Sequence, residues 1–190
     1  MRKAKKQMNI VFLLDMTGSM FAIRDDTIGG FNSFLEEQQK SENEINFWMT
    51  LFNSAKIDKR YVKENINNVK SLNVQTYVPT NSTPLWDAIG NTMQEFSDEK
   101  DVMFIVLTDG EENSSTEFNS DTVNKMVEEK EKKFNWKFLY LGADIKDFAN
   151  ATKIGLKNVF TVNKNNMIQT FTSLNRSVNH YVSTGKIKYK

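Results

Sequence analysis

Apolar residues follow two patterns along this chain, and the two patterns alternate. The unbroken apolar runs at 10–14 and 102–107 are typical of strands buried on both faces of a parallel sheet. Residues 45–52 alternate between apolar and polar positions, which also predicts a strand. Between these segments, apolar residues recur every three or four positions, which predicts amphipathic helices. The chain therefore favours an alternation of strands and helices.

Six strands and five helices are predicted in this way. The strands are expected at 9–15, 45–52, 57–63, 102–107, 136–141 and 158–162. The helices are expected at about 23–40, 83–96, 121–133, 145–152 and 167–181. Thr83 and Pro84 open the second helix, since Thr can cap a helix and Pro is favoured at its first position. Gly29 and Gly30 lie inside the first helix and predict a close contact between this helix and the sheet.

The alternation predicts a doubly wound α/β domain with a Rossmann-like, mostly parallel sheet of about six strands. Helices are expected on both faces of this sheet. The strand at 57–63 follows its predecessor after a short turn, so we expect it to be an antiparallel edge strand. Residues 1–8 are expected to form a basic arm, 9–183 a single domain, and 184–190 a basic tail.

The amino-acid composition excludes several kinds of functional site. The absence of cysteine excludes disulfides and thiolate zinc sites, and the single histidine, His180, argues against a histidine metal site or a Ser-His-Asp triad. The 25 Lys and Arg residues nearly balance 24 Asp and Glu residues, which gives no electrostatic footprint for nucleic acid or a membrane surface. We read neither a signal peptide nor a membrane span of about 18 apolar residues, so the expected location is the cytoplasm.

Oxygen-bearing side chains follow two of the buried strands. Asp15, Thr17 and Ser19 come directly after the first run, and Asp109 comes directly after the run at 102–107. The carboxyl ends of parallel strands meet at one edge of a sheet, where ligands bind at the point of strand-order reversal. Carboxylate and hydroxyl oxygens are the ligands that Mg²⁺ prefers. We expect Thr83, at the start of the second helix, to complete this set.

The spacing Asp15-x-Thr17-x-Ser19, followed by a distant Thr83 and a distant Asp109, resembles the metal-ion-dependent adhesion site of von Willebrand factor A domains. The stretches DMTGSM, TIGGFN, STPLWDAIG and LTDGEEN support the resemblance, which extends over about residues 9–183. They look most like the small stand-alone bacterial or phage members of that family. Thr17 stands where the family more often has Ser, and the hydroxyl is retained.

The resemblance implies that Ser19 and Thr17 hold Mg²⁺ directly and that Thr83 does so directly or through water. Asp15 and Asp109 are then implied to act largely through water, which leaves the ion short of negative charge. An open position would attract a Glu or Asp of a partner protein. Small octahedral geometry favours Mg²⁺ or Mn²⁺ over Ca²⁺.

Each part of the pattern also has a simpler interpretation. Asp15 and Ser19 alone are compatible with a helix cap, as is Thr83 before Pro84, and an Asp-Gly pair such as 109–110 is usually a turn. The neighbouring residues 111–112 predict a solvated acidic turn. The three tryptophans, Trp48, Trp86 and Trp136, are expected to pack in the core or at the rim of the site. Trp86, which follows Thr83 closely, is the best aromatic candidate for a partner contact.

Three hypotheses of function follow. The first is a non-enzymatic, Mg²⁺-dependent module that binds an acidic side chain of a partner, with no role in binding nucleic acid or membrane. The second is a Mg²⁺-dependent phosphohydrolase with Asp15 as nucleophile, although such enzymes usually need a second Asp at the position of Thr17. The third is an accessory subunit of an ATPase, stress-resistance or phage assembly complex.

Overall fold

The computed structural model describes residues 7–96, 98–142, 145–162, 166–185 and 187. Its strands are β1 (Gln7–Asp15), β2 (Glu44–Asn53), β3 (Lys56–Asn65), β4 (Val102–Thr108), β5 (Lys137–Gly142) and β6 (Val159–Thr161). Its α-helices are α1 (Arg24–Gln39), α2 (Leu85–Glu95), α3 (Ser120–Phe134), α4 (Ile145–Lys153) and α5 (Met167–Thr184). Short 3₁₀ helices cover Gly18–Ile23 and Ile66–Asn68. The elements match the predicted alternation in type and order.

The strands form one sheet in the order β3-β2-β1-β4-β5-β6. All neighbouring pairs are parallel except β2 and β3, so the predicted antiparallel edge strand is confirmed. Strand order reverses between β1 and β4, which lie side by side with Leu14 opposite Leu107. The residues that follow these two strands therefore emerge next to each other at the carboxyl edge.

Helices cover both faces of the sheet, as predicted. On one face, Phe12 of β1 packs against Phe31 and Phe34 of α1 and Phe171 of α5. On the other face, alternate β1 residues pack with apolar residues of α2, α3 and α4. Because β1 is buried on both sides, its apolar run carries no alternation. Neither face is left open near the end of β1.

Two local predictions were wrong. A β-carbon on Gly30 would lie 2.1 Å from the Phe171 ring, so the close contact joins α1 to α5 and not to the sheet. Gly29 has no atom within 4 Å of such a position and makes no close contact. Pro84 is the N-cap residue of α2, and this cap has no side-chain hydrogen bond. Thr83 therefore does not cap the helix, because its hydroxyl is used elsewhere.

The ends of the chain are described only in part. β1 begins at Gln7, so residues 7 and 8 belong to the sheet and not to the expected basic arm. Residues 1–6, 186 and 188–190 lie outside the described part of the chain. None of the helices in the described ranges is both long and apolar enough to cross a bilayer.

Candidate metal centre

Asp15 ends β1 with a fully buried carboxylate whose two oxygens are both engaged. Oδ1 accepts a 2.7 Å hydrogen bond from the backbone N–H of Thr17. Oδ2 accepts a 2.6 Å hydrogen bond from the hydroxyl of Thr108, the last residue of β4. The Thr108 hydroxyl also accepts from the N–H of Gly110 at 3.1 Å. The carboxylate is thus held by both strands that flank the reversal of strand order.

The loop before α2 is fastened to the end of β1 by three hydrogen bonds. The Tyr77 hydroxyl donates to the Asp15 carbonyl at 2.6 Å, and Thr80 N–H donates to the Met16 carbonyl at 3.0 Å. Gly18 N–H donates to the Asn81 carbonyl at 2.9 Å. These bonds fix the loop although it contains little regular structure. They position Thr83 at the end of β1.

Three hydroxyls meet at this point. Thr17 Oγ1 lies 3.2 Å from Ser19 Oγ, and Thr83 Oγ1 donates to Thr17 Oγ1 at 3.2 Å. Thr17 and Thr83 are buried, whereas Ser19 is exposed. The row of hydroxyls therefore runs from the interior to the surface, and its accessible end is Ser19.

Thr83 is held in place by the loop that follows β4. Its N–H donates to Asn113 Oδ1 at 2.8 Å, and its carbonyl accepts from Asn113 N–H at 3.1 Å. Asn113 follows Asp109 by four residues, so one loop supplies both the second carboxylate and the support for Thr83. The site therefore depends on three chain segments that are distant in sequence.

The same loop is anchored to the start of α2 through Glu112. One oxygen of this carboxylate accepts from Trp86 N–H at 2.9 Å and from the Ser115 hydroxyl at 2.6 Å. The other accepts from the N–H groups of Ser114 and Ser115 at 2.9 and 2.7 Å. The predicted solvated acidic turn is therefore wrong for Glu112, because its carboxylate binds backbone donors at a helix N-terminus.

Gly110 leaves room beside the oxygens. A β-carbon on this residue would lie 2.9 Å from Thr83 Oγ1, 3.1 Å from Ser19 Oγ and 3.5 Å from Asp15 Oδ2. Oxygens from three segments thus surround one point next to the backbone of Gly110. The neighbouring residue in this loop, Asp109, is 8% exposed and supplies the second carboxylate. All five residues of the sequence pattern converge at this end of the sheet.

Burial dominates the electrostatics of Asp15. The pKa of Asp15 is raised from its usual 3.8 to about 6, chiefly because desolvation disfavours the charged form inside the protein. Hydrogen bonds from Thr108 and Thr17 lower this pKa, and the nearby charge of Asp109 adds a smaller rise. An additional positive charge at this point would therefore stabilise the ionised carboxylate.

The donor set fits a hard cation. Neighbouring oxygens in an octahedral Mg²⁺ site with bonds of about 2.1 Å lie about 3 Å apart. The hydroxyl pairs Thr17–Ser19 and Thr17–Thr83 are both 3.2 Å apart. Within the described part of the chain, no group of three or more His, Cys, Asp and Glu residues is placed to hold a metal. A cation here would be bound mainly by neutral hydroxyls.

Some site residues were missed by sequence reasoning. Thr108 and Tyr77 were not singled out, since one ends a buried apolar run and the other lies in a polar loop without periodicity. Trp86 on α2 is 7% exposed and packs in the core, so the expected core packing is confirmed and the alternative of a partner contact gains no support. The exposed aromatic side chain close in sequence to Ser19 is Phe21 instead.

Comparison with known proteins gave matches at the level of structure. No family profile matches the chain, and no curated protein matches it. Two structures of proximal thread matrix protein 1 from the mussel byssus superpose with TM-scores of 0.63 and 0.65, at 14% and 15% identity over 90% of this chain. This chain spans only 45% and 46% of those mussel chains.

An aerotolerance-related membrane protein from Bacteroides fragilis NCTC 9343, solved with multiple mutations to serines, is also similar. It superposes with a TM-score of 0.59 at 13% identity, over 91% of this chain and 99% of that chain. Likenesses at such identities concern the fold alone. They support a Rossmann-like α/β fold of the von Willebrand factor A type.

Proposed function

We propose that this chain is a non-enzymatic, Mg²⁺-dependent protein-binding module that captures an acidic side chain of a partner protein. One observation carries the proposal: the hydroxyl of Thr17 lies 3.2 Å from those of Ser19 and Thr83, close to the buried carboxylate of Asp15 and to the loop that carries Asp109. This cluster sits where strand order reverses, which is the usual binding position in such sheets.

The residues divide into two roles. Ser19 and Thr17 would hold the ion directly, and Thr83 would do so directly or through water. Asp15 would act on the ion indirectly, through water, because both of its oxygens already accept hydrogen bonds from Thr17 and Thr108. Asp109 would act in the same indirect way. When bound, Mg²⁺ supplies an incompletely neutralised charge with an open position for a carboxylate. Mn²⁺ would serve equally well, and Ca²⁺ less well.

The charges around the site support a partner binding that depends on the metal. Asp15 and Asp109 are buried at the site, and Glu111 is exposed on the same loop. Like charges brought together at an interface oppose binding. An acidic partner would therefore be repelled by the metal-free site and accepted only once a divalent ion offsets these carboxylates.

Several features favour capture over catalysis. The position two residues after Asp15 carries the hydroxyl of Thr17 and no second carboxylate that could serve as an acid or base. His180 lies near the end of α5, next to Tyr181, which lines a cavity with Gln7 and Asp101 at the opposite edge of the sheet. The phosphohydrolase alternative therefore gains no support from the geometry around Asp15.

The test has two parts. Calorimetric titration of MgCl₂ into the full chain should give one site in the wild type and no measurable site in Asp15→Ala or Ser19→Ala. A displayed library of peptides with a fixed central Glu, and a matched library with Gln, then probes carboxylate capture. We expect enrichment of Glu peptides in Mg²⁺ and none in EDTA, with Gln, or with Asp15→Ala. Equal enrichment with and without Mg²⁺, or no preference for Glu, would contradict the proposal.

A further inference from the structure

Phe21 exposes an aromatic ring close in sequence to the candidate metal centre. It lies two residues after Ser19 in the same 3₁₀ helix and is 64% exposed. Among the side chains that the structure describes, every other Phe, Tyr or Trp is buried or half-buried. An aromatic ring in this position exposes apolar area that a bound partner would cover.

Arg24 holds a positive charge against this ring. Its guanidinium carbon lies 5.4 Å from the centroid of Phe21, within the range of a cation–π contact. Its Nε also donates to Asp25 Oδ1 at 2.8 Å. The rim next to Ser19 thus combines an apolar surface with a guanidinium group.

Val78 adds a second exposed apolar side chain, from another of the three chain segments that form the site. It is 52% exposed and lies between Tyr77 and Thr80. Both of these residues are hydrogen-bonded to the end of β1, Tyr77 through its hydroxyl and Thr80 through its N–H. The backbone that carries Val78 is therefore fixed next to the site.

We infer that Phe21, with Arg24 against its ring, and Val78 on the loop tied to the end of β1 determine which acidic segments the module accepts. The inference rests on the proposed function and specifies the partner further. The partner is a protein segment whose metal-binding Glu or Asp has an apolar residue a few positions away. Charge complementarity favours this occupant, since a bound cation attracts negative charge, whereas the charge of Arg24 is already offset by Asp25 at 2.8 Å. The flanking apolar residue would add burial against Phe21, which a carboxylate alone lacks.

The displayed library with fixed central Glu tests this inference through its flanking positions. With wild-type protein in Mg²⁺, enriched peptides should carry Leu, Ile, Met, Phe or Trp at a constant offset from the Glu. Phe21→Ser should abolish this apolar preference and weaken synthetic versions of the enriched peptides by about tenfold or more. The preference for Glu over Gln and the dependence on Mg²⁺ should remain in this variant.

A matched pair of variants separates a rim effect from a general loss of surface hydrophobicity. Val78→Ser should weaken the same peptides, whereas Val62→Ser should not, because Val62 is 55% exposed on the edge strand β3. Calorimetry with MgCl₂ should give the same affinity for all three variants and the wild type, which shows that the metal centre is intact.

The outcomes distinguish this inference from the proposed function. Enriched Glu peptides without an apolar position, or an apolar preference that survives Phe21→Ser, would overturn the inference and leave the metal-dependent capture standing. Lack of any Mg²⁺-dependent preference for Glu in the wild type would overturn both.

Discussion

The hydroxyl of Thr108 donates a 2.6 Å hydrogen bond to Oδ2 of Asp15 and joins the ends of β4 and β1 inside the core. Thr108 is fully buried, so no solvent competes for this bond. Outer-shell groups that hold a metal site in place usually contribute 10–100-fold to metal affinity. Thr108 is therefore expected to be a positioning residue of the site, although it belongs to no sequence pattern used to find it.

Removal of this hydroxyl is the first prediction. Thr108→Val keeps the side-chain volume but leaves Asp15 Oδ2 without its donor, so Mg²⁺ affinity should fall by about tenfold or more in a calorimetric titration. Thr92→Val is the matched control, because Thr92 on α2 is buried and its hydroxyl has no hydrogen-bond partner within the described residues. Equal Mg²⁺ affinity in Thr108→Val and the wild type would exclude this role.

The burial of Asp15 predicts a conflict between stability and metal binding. Ionisation of this carboxylate in the interior opposes folding, as its raised pKa indicates. Asp15→Asn removes the charge, and the Thr108 hydroxyl can instead donate to the Gly110 carbonyl, which lies 3.3 Å away. In EDTA at neutral pH, Asp15→Asn should unfold at a higher urea concentration than the wild type and should no longer bind Mg²⁺. A lower midpoint for Asp15→Asn would contradict this explanation.

The same shift sets a pH dependence with a definite sign. Below pH 3.8 Asp15 is protonated in both the unfolded and folded states, so it costs no stability. Between pH 3.8 and about 6 the unfolded chain loses this proton while the folded protein keeps it, so the metal-free protein loses stability as pH rises. A shift of this size corresponds to roughly 3 kcal/mol, fully present above pH 6.

Urea unfolding of the wild type and Asp15→Asn in EDTA, from pH 4 to pH 7.5, measures this dependence. The difference between their free energies of unfolding should grow with pH and level off above about pH 6. A constant difference across this range would show that the Asp15 carboxylate is not destabilised by burial.

Gly110 is predicted to keep the site open. Gly110→Ala would place a methyl group 2.9 Å from Thr83 Oγ1 and 3.1 Å from Ser19 Oγ, so these hydroxyls would have to move apart. Mg²⁺ affinity should fall by at least about tenfold, as for other changes around metal ligands. Gly29→Ala is the control: it has free space around it, should stabilise α1 by up to about 1 kcal/mol, and should bind Mg²⁺ normally. Normal affinity in Gly110→Ala would contradict this role.

The fold was predictable because its signals are local and strong. The run at 10–14 has no polar interruption, which is typical of a strand buried on both faces. The loops after β1 and β4 were expected at one edge because parallel strands share a direction. The convergence of Asp15 and Asp109 therefore followed from topology. Whether these residues bind a metal remains a prediction.

The supporting contacts were not predictable because they depend on tertiary packing. The contact of Gly30 with Phe171 joins two helices whose relative position no local pattern fixes. The bond from Tyr77 to the end of β1 starts in a loop without periodicity. From the sequence, Glu112 cannot be distinguished from an acidic surface residue, because its hydrogen bond to the start of α2 depends on where that helix packs. Each of these contacts requires knowledge of which segments become neighbours.

Anomalous diffraction from crystals of the full chain grown with MnCl₂ tests the central claim most directly. We predict a Mn²⁺ peak bonded to the hydroxyls of Ser19 and Thr17 at about 2.2 Å, with Asp15 and Asp109 close behind. The same experiment on Ser19→Ala should show no peak at this position. Wild-type crystals with Mn²⁺ absent from these hydroxyls, or bound only elsewhere on the protein, would contradict the proposed metal-dependent capture of an acidic partner.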